Sequence, residues 1–335
     1  MTASRSRFTT LAALRPVSTV QQAWPQDQRD AILRRILSHA DSDVSPGATP
    51  AGHAEAASGR RRPASVRRRL VLAGALTAVL GAAAAVPSLV TSPSYAATPA
   101  MLQFVPVAGQ QSSASVLTDL ARRASTRPPA AGHGRYTYLH TKGWYLHVSA
   151  DGNNRILDSG TAEVDRQLWL APDGSGRLRQ LIPGDNMPPD KTLRPGEFDG
   201  AFLPADATTT AVRTKYGHDD TAAGWTRTMM ELWGRQVVPA ALHARLLDTL
   251  AGQPGVNLLG DTTDRAGRHG VAIGVEDQRG PRERMVLVFD PDTGALLDAE
   301  TVVLENSELP VHPPATISYT VWVATGHTET TTSLP

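Results

Sequence analysis

A run of 21 residues without a charged side chain, Leu70 to Val90, constrains this chain more than any other feature. It reads Leu70-Val71-Leu72-Ala73-Gly74 through Ala82-Ala83-Ala84-Ala85 to Leu89-Val90. Two arginine clusters precede it, Arg60-Arg61-Arg62 and Arg67-Arg68-Arg69. At about 1.5 Å of rise per residue, a helix of this length covers roughly 31 Å, the hydrocarbon thickness of a bilayer. A lone segment crosses lipid as a helix, because its backbone N–H and C=O groups must be satisfied internally. Basic flanks stay on the cytoplasmic side, so the six arginines place the N-terminus inside.

Two other readings compete with a retained span. A buried core helix would be unusually long, apolar all round, and would leave the arginine clusters without a purpose. A cleaved signal peptide finds small residues at Ser94-Tyr95-Ala96, but its basic n-region would be 69 residues long. Charge follows the proposed boundary. Residues 1–69 hold 12 arginines against five acidic residues, net +7, and the remainder holds 21 basic against 27 acidic, net −6. Such asymmetry supports topology rather than direct nucleic-acid binding. With no cysteine, the chain has no disulfides, thiolate metal sites or cysteine nucleophiles.

The spacing predicts a single amphipathic helix over 25–40. Ile32, Leu33, Ile36 and Leu37 form its apolar stripe, with Arg29, Arg34 and Arg35 elsewhere on the wheel. Pro25 suits the first turn, and Asp27 and Asp30 complement the helix's positive end. One helix of this size is marginal alone in water, so its stripe calls for a partner: the membrane surface, a second copy or another protein. The bland alternative is a poorly ordered tail. Residues 41–59 read as disordered linker. The domains are then a cytoplasmic segment at 1–59, a basic flank and transmembrane helix at 60–90, and an extracytoplasmic domain at 91–335.

In the outer part, Ser112–Ser125 has helical spacing with Val116, Leu117, Leu120, Ala121 and Ala124 inward. Strands are expected over Arg135–Val148, Thr161–Leu170 and Arg177–Ile182, with turns at Asp151-Gly152-Asn153-Asn154 and Pro172-Asp173-Gly174-Ser175-Gly176. Residues 183–204 read as loop. A helical insert follows: a helix capped by Asp206 and ending at Gly217, one with Trp225, Met229, Leu232 and Trp233 on a single face, and one from Pro239 to Leu250. Strands resume over Val271–Val275, Arg284–Phe289, Leu296–Leu304 and Ile317–Ala324, and the Thr-rich tail after Gly326 reads as loose. The fold class is α+β: a single transmembrane helix, then an extracytoplasmic antiparallel, half-barrel-like sheet covered by helices.

Chemistry is sparse. The ten histidines lack metal-ligand spacing, and His140 and His147 suit surface or hairpin positions. Asp290-Pro291-Asp292-Thr293-Gly294 mimics the start of a calcium loop but lacks the later glutamate, so it reads as a turn. No nucleophile elbow, phosphate loop or carboxylate pair stands out, and neither an enzyme nor a cofactor is expected.

Several stretches resemble an actinobacterial family of uncharacterised single-pass membrane proteins. They are Leu14-Arg15-Pro16, Tyr136-Thr137-Tyr138, Lys142-Gly143-Trp144-Tyr145 and Trp169 through Arg177. Further on come Gln253-Pro254-Gly255-Val256, Asp264-Arg265-Ala266-Gly267-Arg268 and Phe289 through Gly294. Members are often encoded beside extracytoplasmic-function sigma factors, so the resemblance implies an anti-sigma-like role with a cytoplasmic sigma factor as partner. The element order is also similar to periplasmic half-barrels of the lipoprotein-carrier type. The expected function is a membrane-anchored regulator with an outer sensor. The alternative is an anchored or secreted binding protein for a lipid or cell-wall ligand.

Overall fold

The structure, a computed structural model, describes residues 70–71, 96–107, 109, 111–150, 156–183, 189–198, 202–279, 282–305 and 308–335. The inner helix predicted at 25–40, the arginine flank and residues 72–90 of the predicted span lie outside the described residues. Among the described residues, no helix is long and apolar enough to cross a membrane. Leu70–Val71, the start of the predicted span, forms instead a two-residue strand β1 against Ser149 and Ala150.

Helix α1, Ser113–Thr126, starts where Ser112 Oγ accepts the Ser115 N–H at 3.1 Å. Its five predicted apolar residues are all buried, so the 3–4 spacing points one stripe inward. After the short strand β2, Ala131–Gly132, come β3, Tyr136–Ala150, and β4, Ile156–Leu170. β5, Gly176–Leu181, and β6, Asp190–Leu193, complete the first stack. The insert holds α2, Thr209–Tyr216, α3, Ala222–Trp233, and α4, Ala240–Ala251. Strands β7, Val256–Thr263, β8, His269–Asp277, β9, Glu283–Phe289, β10, Leu296–Val303, and β11, Ala315–Thr328, follow.

These strands make one open sheet in the order β6-β5-β4-β3-β11-β10-β9-β8-β7, antiparallel at every step of that path. The two stacks meet at β3 and β11, in a register running from Ser318 opposite Tyr145 to Thr328 opposite Tyr136. One sheet face carries the helices. Leu120 and Leu117 of α1, Met229 and Leu232 of α3 and Leu242 and Leu246 of α4 pack there with Ile273, Leu287 and Trp322. On the other face, a strap at 96–107 lays Leu102 and Phe104 on Ala272, Val286 and Val288. It ends in a bridge between Val105 and Asp261. Gly260, at φ +126°, permits that bridge, since a Cβ there would lie 2.2 Å from the Val105 carbonyl oxygen.

Four local expectations change. Strand β6 lies inside the stretch that reads as loop, and β7 falls where no strand is expected. The cap of α2 is Thr208, whose side chain accepts the Ala211 N–H, rather than Asp206. The tail is not loose: β11 runs to Thr328, Trp169 Nε1 donates to the Ser333 carbonyl at 2.8 Å, and Arg177 Nη1 donates to the Thr331 carbonyl at 3.2 Å. Indole and guanidinium donors here satisfy an irregular backbone that composition alone marks as free.

The turn between β9 and β10 sits under α1. Asp290 Oδ1 accepts the N–H groups of Asp292 and Thr293, and Gly294 adopts φ +68°. A Cβ at Gly294 would lie 2.5 Å from the Leu120 carbonyl oxygen. Gly294→Ala therefore combines a strained backbone with a clash against α1. We expect a loss of about 1–3 kcal/mol in urea unfolding. An unchanged midpoint would show that α1 does not rest on this turn.

Candidate functional site

The sequence-predicted site residues, Ile32, Leu33, Ile36 and Leu37 with Arg60, Arg61, Arg62, Arg67, Arg68 and Arg69, all lie outside the described residues. Among the described residues, no group of three or more His, Asp or Glu side chains could hold a metal ion. His140 places Nε2 2.9 Å from Asp165 Oδ1 across the β3–β4 hairpin, as a part-buried pair.

Most buried charge is neutralised in place. The turn after β7 folds its side chains across the strap face. Arg265 donates Nε and Nη2 to the two carboxylate oxygens of Glu300, at 2.6 and 3.0 Å, and stacks over Tyr319. Arg268 donates Nε to Asp264 and its two Nη groups to the carbonyls of Trp322 and Leu297. The Asp264–Arg268 motif is thus a clasp from the β7–β8 turn to β10 and β11. Beside it Asp298 is fully buried, and burial together with the nearby Glu300 charge pushes its carboxyl well above the usual range.

A second cluster closes the far end of β8 and β9. Asp277 accepts from Arg279 and Arg227, which hold it down at about 2 although burial opposes them. Glu283, directly opposite Asp277 across the two strands, is 4 % exposed and is pushed up to about 7 by burial. Arg227 pulls it down and Asp277 pushes it up.

The helix face at the seam differs from both clusters. Register puts Thr141, Gly143, Tyr145 and His147 of β3 on that face, opposite Arg166, Val164, Ala162 and Gly160 of β4. On the other side Gly143 faces Thr320 of β11. Tyr145 lies back over Gly143, where a Cβ would meet the phenol oxygen at 2.6 Å. His147 lies likewise over Gly160, its ring 2.6 Å from where a Cβ would stand. Missing side chains thus let two rings lie flat, making a floor of Tyr145, His147, Gly160, Ala162 and Val164 that is half-buried. The Tyr145 hydroxyl is 2.8 Å from Thr320 Oγ1. Behind the floor stands Arg166, only 4 % exposed. Its Nη1 donates to the Gly234 carbonyl at the end of α3, at 3.3 Å, while Nε and Nη2 have no partner among the described residues. Sequence reading missed Arg166, because nothing local distinguishes it from the surface arginines nearby. The spacing Gly143-x-Tyr145 was the available signal for the floor.

No family model and no curated protein matches the chain. Among solved structures it aligns with the Pseudomonas aeruginosa MucA/MucB complex at 13 % identity and a TM-score of 0.24. It aligns with MucB in complex with MucA(peri) at 14 % identity and a TM-score of 0.22. Each alignment covers 64 % of this chain and 56 % of that chain, so it spans little more than half of those proteins. At such scores the function has to be argued from this chain's own residues.

The cluster at Glu283 generates a pH test. Its carboxyl is raised in the folded state, so ionising it costs stability as pH climbs from about 4.5 to about 7. Glu283→Gln removes that cost. The variant should exceed the parent by about 2–3 kcal/mol at pH 8, with the advantage gone below pH 4.5. Asp277 acts in the opposite sense, contributing stability that is lost as pH falls from about 4 towards 2. A Glu283→Gln gain independent of pH in denaturant titrations would contradict the assignment.

Proposed function

We propose that this chain is a single-pass membrane-anchored regulator. Residues 91–335 form an extracytoplasmic, half-barrel-like sensor, and residues 1–59 a cytoplasmic segment that holds a partner, a sigma factor by the resemblance above. The observation that carries the reading is the uncharged segment Leu70–Val90, with six arginines on one side only and net charges of +7 and −6 on the two sides. A strand at Leu70–Val71 paired with β3 and a membrane span beginning at Leu70 exclude one another, because β3 belongs to the outer domain.

Localisation is directly testable. A reporter enzyme active only outside the cytoplasm should work when fused after Ala97 and stay silent when fused after Gly59. Activity at both points, or the reverse pattern, removes the membrane topology and leaves Leu70–Val71 as part of the sheet.

The floor on the helix face favours a second reading, an anchored or secreted binding protein for a lipid or cell-wall ligand. A half-buried surface of small and aromatic residues is suited to a partly apolar ligand. Both readings assign binding rather than catalysis to the outer domain, and they part over residues 1–59. In the regulator, Ile32, Leu33, Ile36 and Leu37 are buried by a protein, each worth roughly 1.5–3 kcal/mol when fully covered. Leu33→Asp with Ile36→Asp should then abolish co-purification of a sigma factor with the full chain and leave the outer domain folded. High salt should barely alter the complex, whereas stripe binding to anionic lipid beside the arginines would weaken strongly. No sigma factor captured at any salt concentration would leave the binding-protein reading.

A further inference from the structure

The geometry points to an oxyanion, the carboxylate or phosphate of a ligand lying on the helix-face floor, as the partner of Arg166. It rests on the reading that this floor is the ligand surface of the outer domain, and it names the ligand's chemistry.

The inference begins with which part of the guanidinium is left over. Nε and Nη2 form the side edge of an arginine, two parallel donors spaced to meet both oxygens of a carboxylate or phosphate. Elsewhere in the chain that same edge is used in this manner. Arg265 gives Nε and Nη2 to the two oxygens of Glu300, and Arg177 gives Nε and Nη2 to the two oxygens of Asp190. In Arg166 the remaining nitrogen, Nη1, is taken by the Gly234 carbonyl, which fixes the plane of the group. The edge Nε–Nη2 has no partner among the described residues, although the residue is buried.

A buried cation without an anion is costly, and chains usually bury charge only when it is paired. Burial indeed pulls the Arg166 guanidinium down to about 10, and the nearby Arg235 charge adds to that. The helix carbonyl offsets part of the cost, since a cation suits a helix C-terminus. It does not account for the two idle donors. Tyr145 completes the arrangement. Its ring lies over Gly143, and the Gly143–Val164 pair separates the Tyr145–Ala162 pair from the Thr141–Arg166 pair. Its hydroxyl, anchored on Thr320, is therefore turned towards the arginine's end of the floor. Both donors are closed to solvent, so an anion held side-on by Arg166 has to displace what covers them beside the Gly234 carbonyl. It then gains the Tyr145 hydroxyl as a polar neighbour, and the rest of its molecule meets Ala162, Val164 and the His147 ring.

Hexyl phosphate, hexanoate and neutral hexanol, titrated calorimetrically into the full chain in nanodiscs of neutral lipid, test this. At least one anion should bind saturably and hexanol at least tenfold more weakly; the stronger anion identifies the headgroup as phosphate or carboxylate. Arg166→Gln should weaken the anion at least tenfold, and Arg166→Lys should recover part of the loss. Tyr145→Phe should weaken it a few-fold. Because Arg166→Gln also removes the bond to Gly234, a second measurement separates ligand role from scaffold role. Arg166→Met should melt no lower than the parent without ligand and should lose the anion-induced rise in melting temperature. Equal binding of hexanol and the anions overturns the oxyanion while leaving the floor as a ligand surface. Binding of none of the three, or undiminished anion binding by Arg166→Gln, overturns it as well, and the former also removes the floor reading.

Discussion

The pairing of β3 with β11 is the contact on which the rest of this fold depends. It joins two stacks of antiparallel strands whose paired residues stand far apart in sequence, Tyr145 opposite Ser318 and Tyr136 opposite Thr328. Without it each stack would present an unpaired strand edge, a template for wrong pairing. With it, one continuous sheet carries helices on one face and a strap on the other. The seam also places the candidate site. Tyr145 and Gly143 come from the first stack, and Thr320, which holds the Tyr145 hydroxyl, comes from the second, so the junction positions the edge of the floor. A molecule that binds only the joined form stabilises that form by mass action. On the binding proposal above, this links occupancy of the floor to the cohesion of the sheet.

Buried charge is treated differently at the clasp and at the seam. On the strap face, Arg265 with Glu300 and Arg268 with Asp264 neutralise one another and draw the β7–β8 turn onto β10 and β11. Burying such a pair gains little net stability over apolar packing, while leaving one member alone is expensive. What these pairs contribute is position: they fix where an irregular turn lands on the sheet. At the seam Arg166 meets a carbonyl and a phenol and, among the described residues, no carboxylate. The contrast between these paired arginines and the buried Arg166, unpaired among the described residues, is what the proposed anion site rests on.

Much of the architecture was legible in the sequence. The stripe of Val116, Leu117, Leu120, Ala121 and Ala124 announced α1, and the strand expected over Arg135–Val148 is β3. Gly217 marked the end of α2 through its left-handed conformation. Strand β6 was hidden because prolines surround its four residues, and β7 because Gly260 interrupts its short apolar run. Gly260 is instead a glycine that the strap requires. The tail was misread because threonine-rich composition says nothing about Trp169 and Arg177, which hold its backbone from strands well over a hundred residues earlier. Arg166 was illegible for a related reason. Its distinction is that no carboxylate among the described residues meets it, a fact of three-dimensional surroundings that no spacing encodes.

The central claim is that the outer domain offers a ligand floor to the exterior. The absence of cysteine provides a clean probe, since one introduced thiol is unique. Ala162→Cys places it on the floor, and Val323→Cys places a control on β11 at a residue that is 40 % exposed. The measurement is the labelling rate of each variant with a membrane-impermeant maleimide on intact cells. The account predicts that both variants label without lysis, and that octyl phosphate or octanoate slows the Ala162→Cys variant while leaving the Val323→Cys variant unchanged. Labelling of either variant only after lysis, or equal rates for Ala162→Cys with and without both anions, would contradict it.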